Sequence, residues 1–372
     1  MPRKRILLLS EGFGAGHTQA AHALSVSLRQ YSPEVQTRVM ELGAFLHPTL
    51  APMVFTVYRK TVVSQPRLYG MVYRSQYKKS LNKLAQLALH RLFYSHTAEI
   101  ISQLKPSMIV CTHPFPSVVV SRLKRTGLQI PLCTVITDYD AHGTWISPGV
   151  DKYLVSTPNV KHKLMERGIP REHVEVTGIP VHPDFWTEYN RDELRKQLQL
   201  NDLPTVLVMG GGWGLFEADD VLSYIATWRE HIQILLCLGN NERALAHFRA
   251  HPLFNHPNIR LFGFTREVNK LMEVSDLLIT KPGGMTCTEG LAKGIPMLFY
   301  KPIPGQEEEN LQYFTRHGYG EAIDSVETAH RWLTYLAGHL QELRRKRASL
   351  APSFRHYSPA ECSRVLIEIL NE

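Results

Sequence analysis

The sequence predicts an α/β protein made of two doubly wound halves, each a parallel sheet wrapped in helices. Three observations predict it. Short apolar runs alternate with stretches of helical spacing along most of the chain. Two of those runs pass straight into glycine-rich loops, "ILLLSEGFGAGH" near the start and "TVLVMGGGWG" near residue 210, so the pattern begins twice. At 372 residues the chain exceeds what one core ordinarily organises.

The elements follow in order. "RILLLS" is a short apolar strand, and "TQAAHALSVSLRQY" is a helix with Ala20, Ala21, Leu24 and Leu28 on one face. "VQTRVMEL" alternates like a strand. "MIVCTH", "PLCTVITD" and "KYLVST" are buried strands, separated by helical stretches such as "HTAEIISQLK" and "NVKHKLMERG". "VEVTGIPVHPDFW" is rich in Gly and Pro and marks the middle. Strands then resume in "PTVLVMG", "IQILLCLGN", "IRLFGF", "DLLITKPGG" and "IPMLFYKP", and "AECSRVLIEIL" closes as a helix. The expected organisation is a first domain over 1–180, a linker over 181–200, a second domain over 201–350 and a C-terminal helical segment over 351–372 that packs back on the first domain. Ligands of open α/β sheets bind beyond the carboxyl ends of the strands. Two such sheets facing each other would make a cleft.

Composition narrows the class. Apolar residues make up 44% and charged residues 20%, as in soluble globular proteins. No window approaches the length of apolar chain that spans a bilayer. The apolar run after "MPRKR" is too short for a signal-peptide core, so the chain is expected in the cytoplasm. Cys111, Cys133, Cys237, Cys287 and Cys362 form no CxxC pair and read as reduced thiols, with no metal site. The net charge of +8 points to an anionic partner. The charge is uneven: between Glu41 and Glu99 there is no acidic residue, while Arg59, Lys60, Arg67, Arg74, Lys78, Lys79, Lys83 and Arg91 are basic.

Gly12, Gly14 and Gly16 give GxGxG, which is neither the dinucleotide fingerprint nor a P-loop. One reading is a plain strand-to-helix turn. The other has the glycines admitting a substrate while His17 takes a proton from a hydroxyl, for which an imidazole is suited near neutral pH. Gly210 to Gly214 forms a second loop whose backbone N–H groups could receive a diphosphate. The richest stretch is "TKPGGMTCTEGLAKGIPMLFYKPIPGQEEEN", Thr280 to Asn310. A turn at Lys281–Gly284 leads into a helix over Met285–Lys293 carrying Thr286 and Thr288, with Glu289 placed to accept two ribose hydroxyls. Gln306 and Glu307 lie at a second strand end and suit the hydroxyls of a sugar, whereas Glu308 and Glu309 read as a solvated charge run. Asp138, Tyr139 and Asp140 make a DxD in the half of the chain that does not carry these groups. Asp138 and His142 read equally as a capped turn or as the border of an acceptor site, and His113 reads more readily as structural. The acid-free segment interleaves Tyr, Phe, Met and Leu with Arg and Lys, which suits either an ordinary helical pair or an amphipathic surface for anionic headgroups.

"SEGFGAGHTQAAHAL", "TDYDAHGTW", "VTGIPVHPDF" and the long stretch from Thr280 together resemble the lipid-glycosylating branch of glycosyltransferase family 28, in order along nearly the whole chain. That branch includes bacterial processive diacylglycerol glucosyltransferases and plant monogalactosyldiacylglycerol synthases. The resemblance implies a GT-B fold of two Rossmann-like domains with an interdomain cleft. It implies a UDP-sugar donor on the C-terminal domain, contacted by Gly212, Trp213, Phe264, Thr265, Gly283, Gly284, Thr286, Glu289, Gln306, Glu307 and Asn310. It implies a diacylglycerol acceptor on the N-terminal domain, bordered by Gly14, Gly16, His113 and His142. His17 would be the base, with Asp138 as second choice. Arg59, Lys60, Arg67, Tyr73, Arg74, Lys78 and Lys79 would contact an anionic membrane on its inner face. The implied reaction is an inverting, metal-independent transfer of a hexose, with glucose expected, no cofactor, and further sugars added to the product. UDP-galactose as donor, N-acetylglucosaminyl transfer to another lipid, epimerisation of a UDP-sugar, and a non-catalytic nucleotide-sugar sensor remain alternatives. No motif that reads RNA or DNA accompanies the basic segment, so no nucleic acid partner is expected.

Overall fold

The computed structural model describes residues 4–77, 87, 91, 94–211, 220–350, 354 and 357–372. The chain divides into two units. One comprises Met1–Pro183, Ile303–Glu309 and His356–Glu372, and the other Asp184–Pro302 and Asn310–Arg355.

The first unit holds β1 (Arg5–Ser10), β2 (Gln36–Glu41), β3 (Met108–Cys111), β4 (Leu132–Val135), β5 (Lys152–Val155) and β6 (Val174–Val176). They pair in parallel in the order β2-β1-β3-β4-β5-β6. The leucine run of β1 is apolar on both faces because both are covered. Ile6 and Leu8 join Ala21, Leu24, Leu28 and Leu366 on one side, while Leu7 and Leu9 join Ile109, Val120 and Trp145 on the other. Each leucine so removed from water contributes about 2 kcal/mol.

The second unit holds β7 (Thr205–Met209), β8 (Gln233–Cys237), β9 (Ile259–Phe262), β10 (Leu277–Thr280), β11 (Met297–Phe299) and β12 (Gly320–Ala322), ordered β12-β11-β10-β7-β8-β9, all parallel.

The structure departs from the sequence reading in four places. The expected linker 181–200 holds a helix, Arg191–Gln197, capped by Asn190. Arg191 reaches Asp276 at 2.5 Å and Arg195 reaches Thr205 at 2.8 Å, which ties this stretch to the second unit from Asp184 onward. The Gly- and Pro-rich middle contains β6, and "YGEAI" contains β12; neither shows enough alternation to read as a strand. The first helix begins at Ala15, so Gly16 and His17 lie in its first turn. The helix Pro359–Asn371 packs on the helix Ala15–Tyr31, with Ser27 and Ser363 hydroxyls 2.8 Å apart and Lys4 Nζ donating to the Leu370 carbonyl at 2.7 Å. All five cysteines are buried free thiols.

Candidate active site

In each sheet the strand order reverses direction at one point, between β1 and β3 in the first and between β7 and β10 in the second. Crevices at such switch points are where α/β sheets bind ligands. His17 and His113 follow the two strands at the first point, and Gly283, Gly284, Thr286 and Glu289 follow β10 at the second; Asp138, His142, Phe264, Thr265, Gln306 and Glu307 follow other strands. At each point, the helix that follows starts without a side-chain cap or an acidic first turn. The helix Ala15–Tyr31 follows Gly14, and the helix Gly284–Ala292 follows Gly283. The helices Leu50–Ser64, Pro66–Gln76 and Val268–Val274 start equally bare, whereas His113, Thr157, Asn190, Asn241 and Ser325 cap theirs. Bare leading N–H groups favour an anion or a dipolar oxygen.

In the first unit, His17 projects toward the strand ends. Its Nδ1 lies 3.0 Å from the Thr112 carbonyl oxygen and 2.7 Å from Thr137 Oγ1, and its own carbonyl accepts from Thr112 Oγ1 at 2.9 Å. A carbonyl has no hydrogen to give, so Nδ1 carries the proton and Nε2 keeps a lone pair. Nε2 has no partner among the described residues. Burial pulls the His17 pKa down to about 4, opposed in part by the bond to Thr112. The ring is therefore neutral at pH 7. Of the loop glycines, Gly12 is the one that close packing demands, because a Cβ there would stand 2.7 Å from Phe55. Gly14 has extended backbone, and a Cβ there would make ordinary contact with the His17 ring at 3.9 Å.

His113 meets His17 edge on, caps its own helix by accepting from the Phe115 N–H at 3.2 Å, and is stacked by Phe13. It is a cap and a wall, and burial first, then His17 and His142, hold its pKa well below the usual histidine value. Burial likewise brings His142 to about 4; its ring lies beside Tyr73 and Trp145. Trp145, unmarked in the sequence, lies 6.0 Å from the His17 ring with its indole N–H buried and unpartnered among the described residues. Among the described residues no three side chains of metal-ligating type converge.

Asp138 follows β4 and is buried, accepting a bond from Gln306 Nε2. Gln306, expected at the donor sugar, is thus engaged within the first unit. Asp140 is held by Lys163 and by Tyr77, each at 2.5 Å, so the DxD carboxylates are committed to protein partners. Glu307 accepts from the Ile303 N–H at 2.6 Å and closes its turn. Glu308, read as solvated, accepts from the Gly305 N–H at 2.9 Å and pairs with Arg74.

In the second unit, Gly283 has an ordinary φ of −74°, and nothing lies within 4 Å of where its Cβ would be. The protein itself does not require glycine there, so the space suits an approaching ligand. Thr286 and Glu289 are half-buried on this helix, with no side-chain partner among the described residues. Burial pushes the Glu289 pKa up to about 8. Thr288, by contrast, donates to the Gly284 carbonyl at 2.7 Å. Asn310 Nδ2 donates to the Pro282 carbonyl at 3.0 Å and shapes the turn. Phe264 stands 58% exposed beyond β9. Thr265 Oγ1 accepts from the Glu267 N–H at 3.1 Å. Gly212 and Trp213 lie outside the described residues.

The acid-free segment forms the helices Leu50–Ser64 and Pro66–Gln76. Phe55, Tyr58, Tyr69 and Tyr73 turn inward, and Met53, Val57, Lys60, Arg67, Leu68, Met71 and Arg74 outward. Arg59 is half-buried. Tyr73, expected at a membrane, seats its ring over Gly305, where a Cβ would be 2.6 Å away. Lys78 and Lys79 lie outside the described residues. Among the described residues no helix is long and apolar enough to cross a membrane.

Two parallel Rossmann-like sheets, each with its polar residues at the switch point, define the GT-B class of fold. Residues 17–181 match the family model for monogalactosyldiacylglycerol (MGDG) synthase, and residues 205–358 match the glycosyltransferase family 28 C-terminal domain. The chain belongs to glycosyltransferase family 28. It is 27% identical over 369 residues to the processive diacylglycerol beta-glucosyltransferase of Staphylococcus epidermidis, across 99% of this chain and 93% of that one. Among solved structures it resembles MurG of Acinetobacter baumannii, with a TM-score of 0.59 and 15% identity over 99% of each chain. It also resembles Anabaena HepE in complex with UDP and glucose, with a TM-score of 0.61 and 13% identity over 99% of each chain. At such identities these two likenesses speak for the fold alone.

Proposed function

We propose that this protein transfers glucose from UDP-glucose to the hydroxyl of diacylglycerol at an anionic membrane surface. The observation that carries the reading is His17, neutral and tied at Nδ1, with an Nε2 that has no partner among the described residues, at a switch point, in a chain whose relatives are named for this reaction. The acceptor hydroxyl gives its proton to Nε2 as its oxygen bonds to the anomeric carbon. The bond from that carbon to the diphosphate breaks, and UDP leaves with inversion. Leading N–H groups of the helix after Gly283 take up the charge of the leaving diphosphate without a metal. Glu289 accepts the ribose hydroxyls, and Phe264 with Thr265 flanks the uracil. The outward stripe of Met53, Val57, Leu68 and Met71, with Lys60 and Arg67, docks on the inner face of the cell membrane. The glycosylated product is itself an acceptor for another sugar.

A second reading takes UDP-galactose as donor, favoured by the match of residues 17–181 to the monogalactosyldiacylglycerol synthase model. The test offers radiolabelled UDP-glucose and UDP-galactose separately, with diacylglycerol in anionic vesicles. Label from UDP-glucose in a monohexosyl or dihexosyl glyceride is the expected result. Label only from UDP-galactose would select the second reading. No label from either, with UDP still bound, would overturn both.

A further inference from the structure

We propose that Thr137 is a positioning residue for His17. Together with the Thr112 carbonyl it fixes the imidazole in the Nδ1–H form and holds the imidazolium that forms when Nε2 takes a proton. Thr137 follows β4 and Thr112 follows β3, so the two oxygens come from neighbouring strand ends. Thr137 is 3% exposed, and its Oγ1 stands 2.7 Å from His17 Nδ1. Thr112 cannot move independently, because its N–H donates to the Leu9 carbonyl at 3.0 Å and its hydroxyl to the His17 carbonyl at 2.9 Å. The Nδ1–H is therefore shared between two fixed oxygens.

In a Ser-His-Asp arrangement a carboxylate occupies this place and carries the developing positive charge. Here both partners are neutral dipoles. The rings facing His17 are His113, His142 and Trp145, which add no negative charge. The assignment rests on His17 being the base. Its physical core, the Nδ1 contact, can be read without turnover.

The experiment compares Thr137→Val and Thr137→Ser in the full chain with diacylglycerol vesicles and UDP-glucose. Thr137→Val removes the oxygen at nearly constant volume and is expected to lower kcat about tenfold with KM for UDP-glucose unchanged. Thr137→Ser restores the oxygen and is expected to recover kcat to within about twofold. Nitrogen-15 NMR of histidine-labelled protein is expected to show His17 protonated at Nδ1 in the wild type, and a shifted Nδ1 resonance in Thr137→Val, where the proton is left to the Thr112 carbonyl alone. A wild-type His17 protonated at Nε2 would overturn the proposal even if the valine variant failed to fold. So would a valine variant with unaltered kcat and nitrogen shifts, or a serine variant as impaired as the valine one. Normal turnover in His17→Ala would remove the base reading instead, while the nitrogen shifts would still decide the Thr137 contact.

Discussion

The rings of His17 and His113 meet edge to face with centroids 4.7 Å apart, and both are uncharged at neutral pH. Burial is the leading cause in each, and a charge on either would oppose one on the other. For His17 the folded pKa is lowered from 6.5 to about 4. The unfolded chain therefore binds this proton first as pH falls. Stability from this group is lost as pH falls from about 6.5 to 4. The base form persists down to about pH 4, so kcat/KM should bend downward near pH 4. An acid limb bending near 6.5 would mean that another group is the base. His17→Ala should leave UDP affinity near wild type and lower turnover by about 10²–10⁴.

Glu289 is a half-buried carboxyl with no protein partner among the described residues. Glu289→Ala should weaken UDP-glucose binding about 10- to 100-fold, since it removes two bonds to hydroxyls. Isothermal titration would read this directly. Equal affinity in the variant would place the ribose elsewhere.

Glu11 sits under the first loop, fully buried, with one oxygen accepting from the Gly43 N–H and the Tyr94 hydroxyl, each at 2.8 Å. Its other oxygen has no partner among the described residues, and burial raises its pKa from 4.5 to about 7. The folded protein then holds this proton after the unfolded chain has released it. Stability should fall by a few kcal/mol as pH rises from about 4.5 to 7. Glu11→Gln should flatten that slope in urea melts taken at several pH values. An unchanged slope would assign it to other groups.

Met53 and Val57 are 65% and 64% exposed and lie one turn apart on the outer face of their helix. Replacing both with Asp should cut sedimentation with anionic vesicles by about tenfold or more, by removing buried apolar area and adding repulsion. Release of the wild type at high salt should be partial, because the apolar part of the contact is not screened. Vesicle binding that survives the double substitution would move the docking face elsewhere.

The strands and the switch-point residues were legible because parallel buried strands write continuous apolar runs and a strand-end loop follows each. His17 was legible from its loop, and Glu289 from its place one turn into a helix after a glycine pair. What holds them was not. The Thr112 carbonyl acts through its backbone, which carries no side-chain signal, and Thr137 reaches His17 only once β3 and β4 pair. Gln306 looks like a sugar ligand because an amide bonds hydroxyls, and the resemblance implies a donor contact for Asn310; here they bond Asp138 and Pro282, far along the chain. Glu308 looked solvated because three consecutive acids resemble a surface run, yet the N–H of Gly305 and the guanidinium of Arg74 both turn to it.

The helix Pro359–Asn371 supplies Cys362, Val365 and Leu366 to the core that β1 and the first helix begin. The first unit therefore remains open while the ribosome makes all of the second. The second unit, Asp184–Pro302 with Asn310–Arg355, is synthesised between the two parts of that core. Loss of that helix would uncover one face of β1, at Ile6 and Leu8.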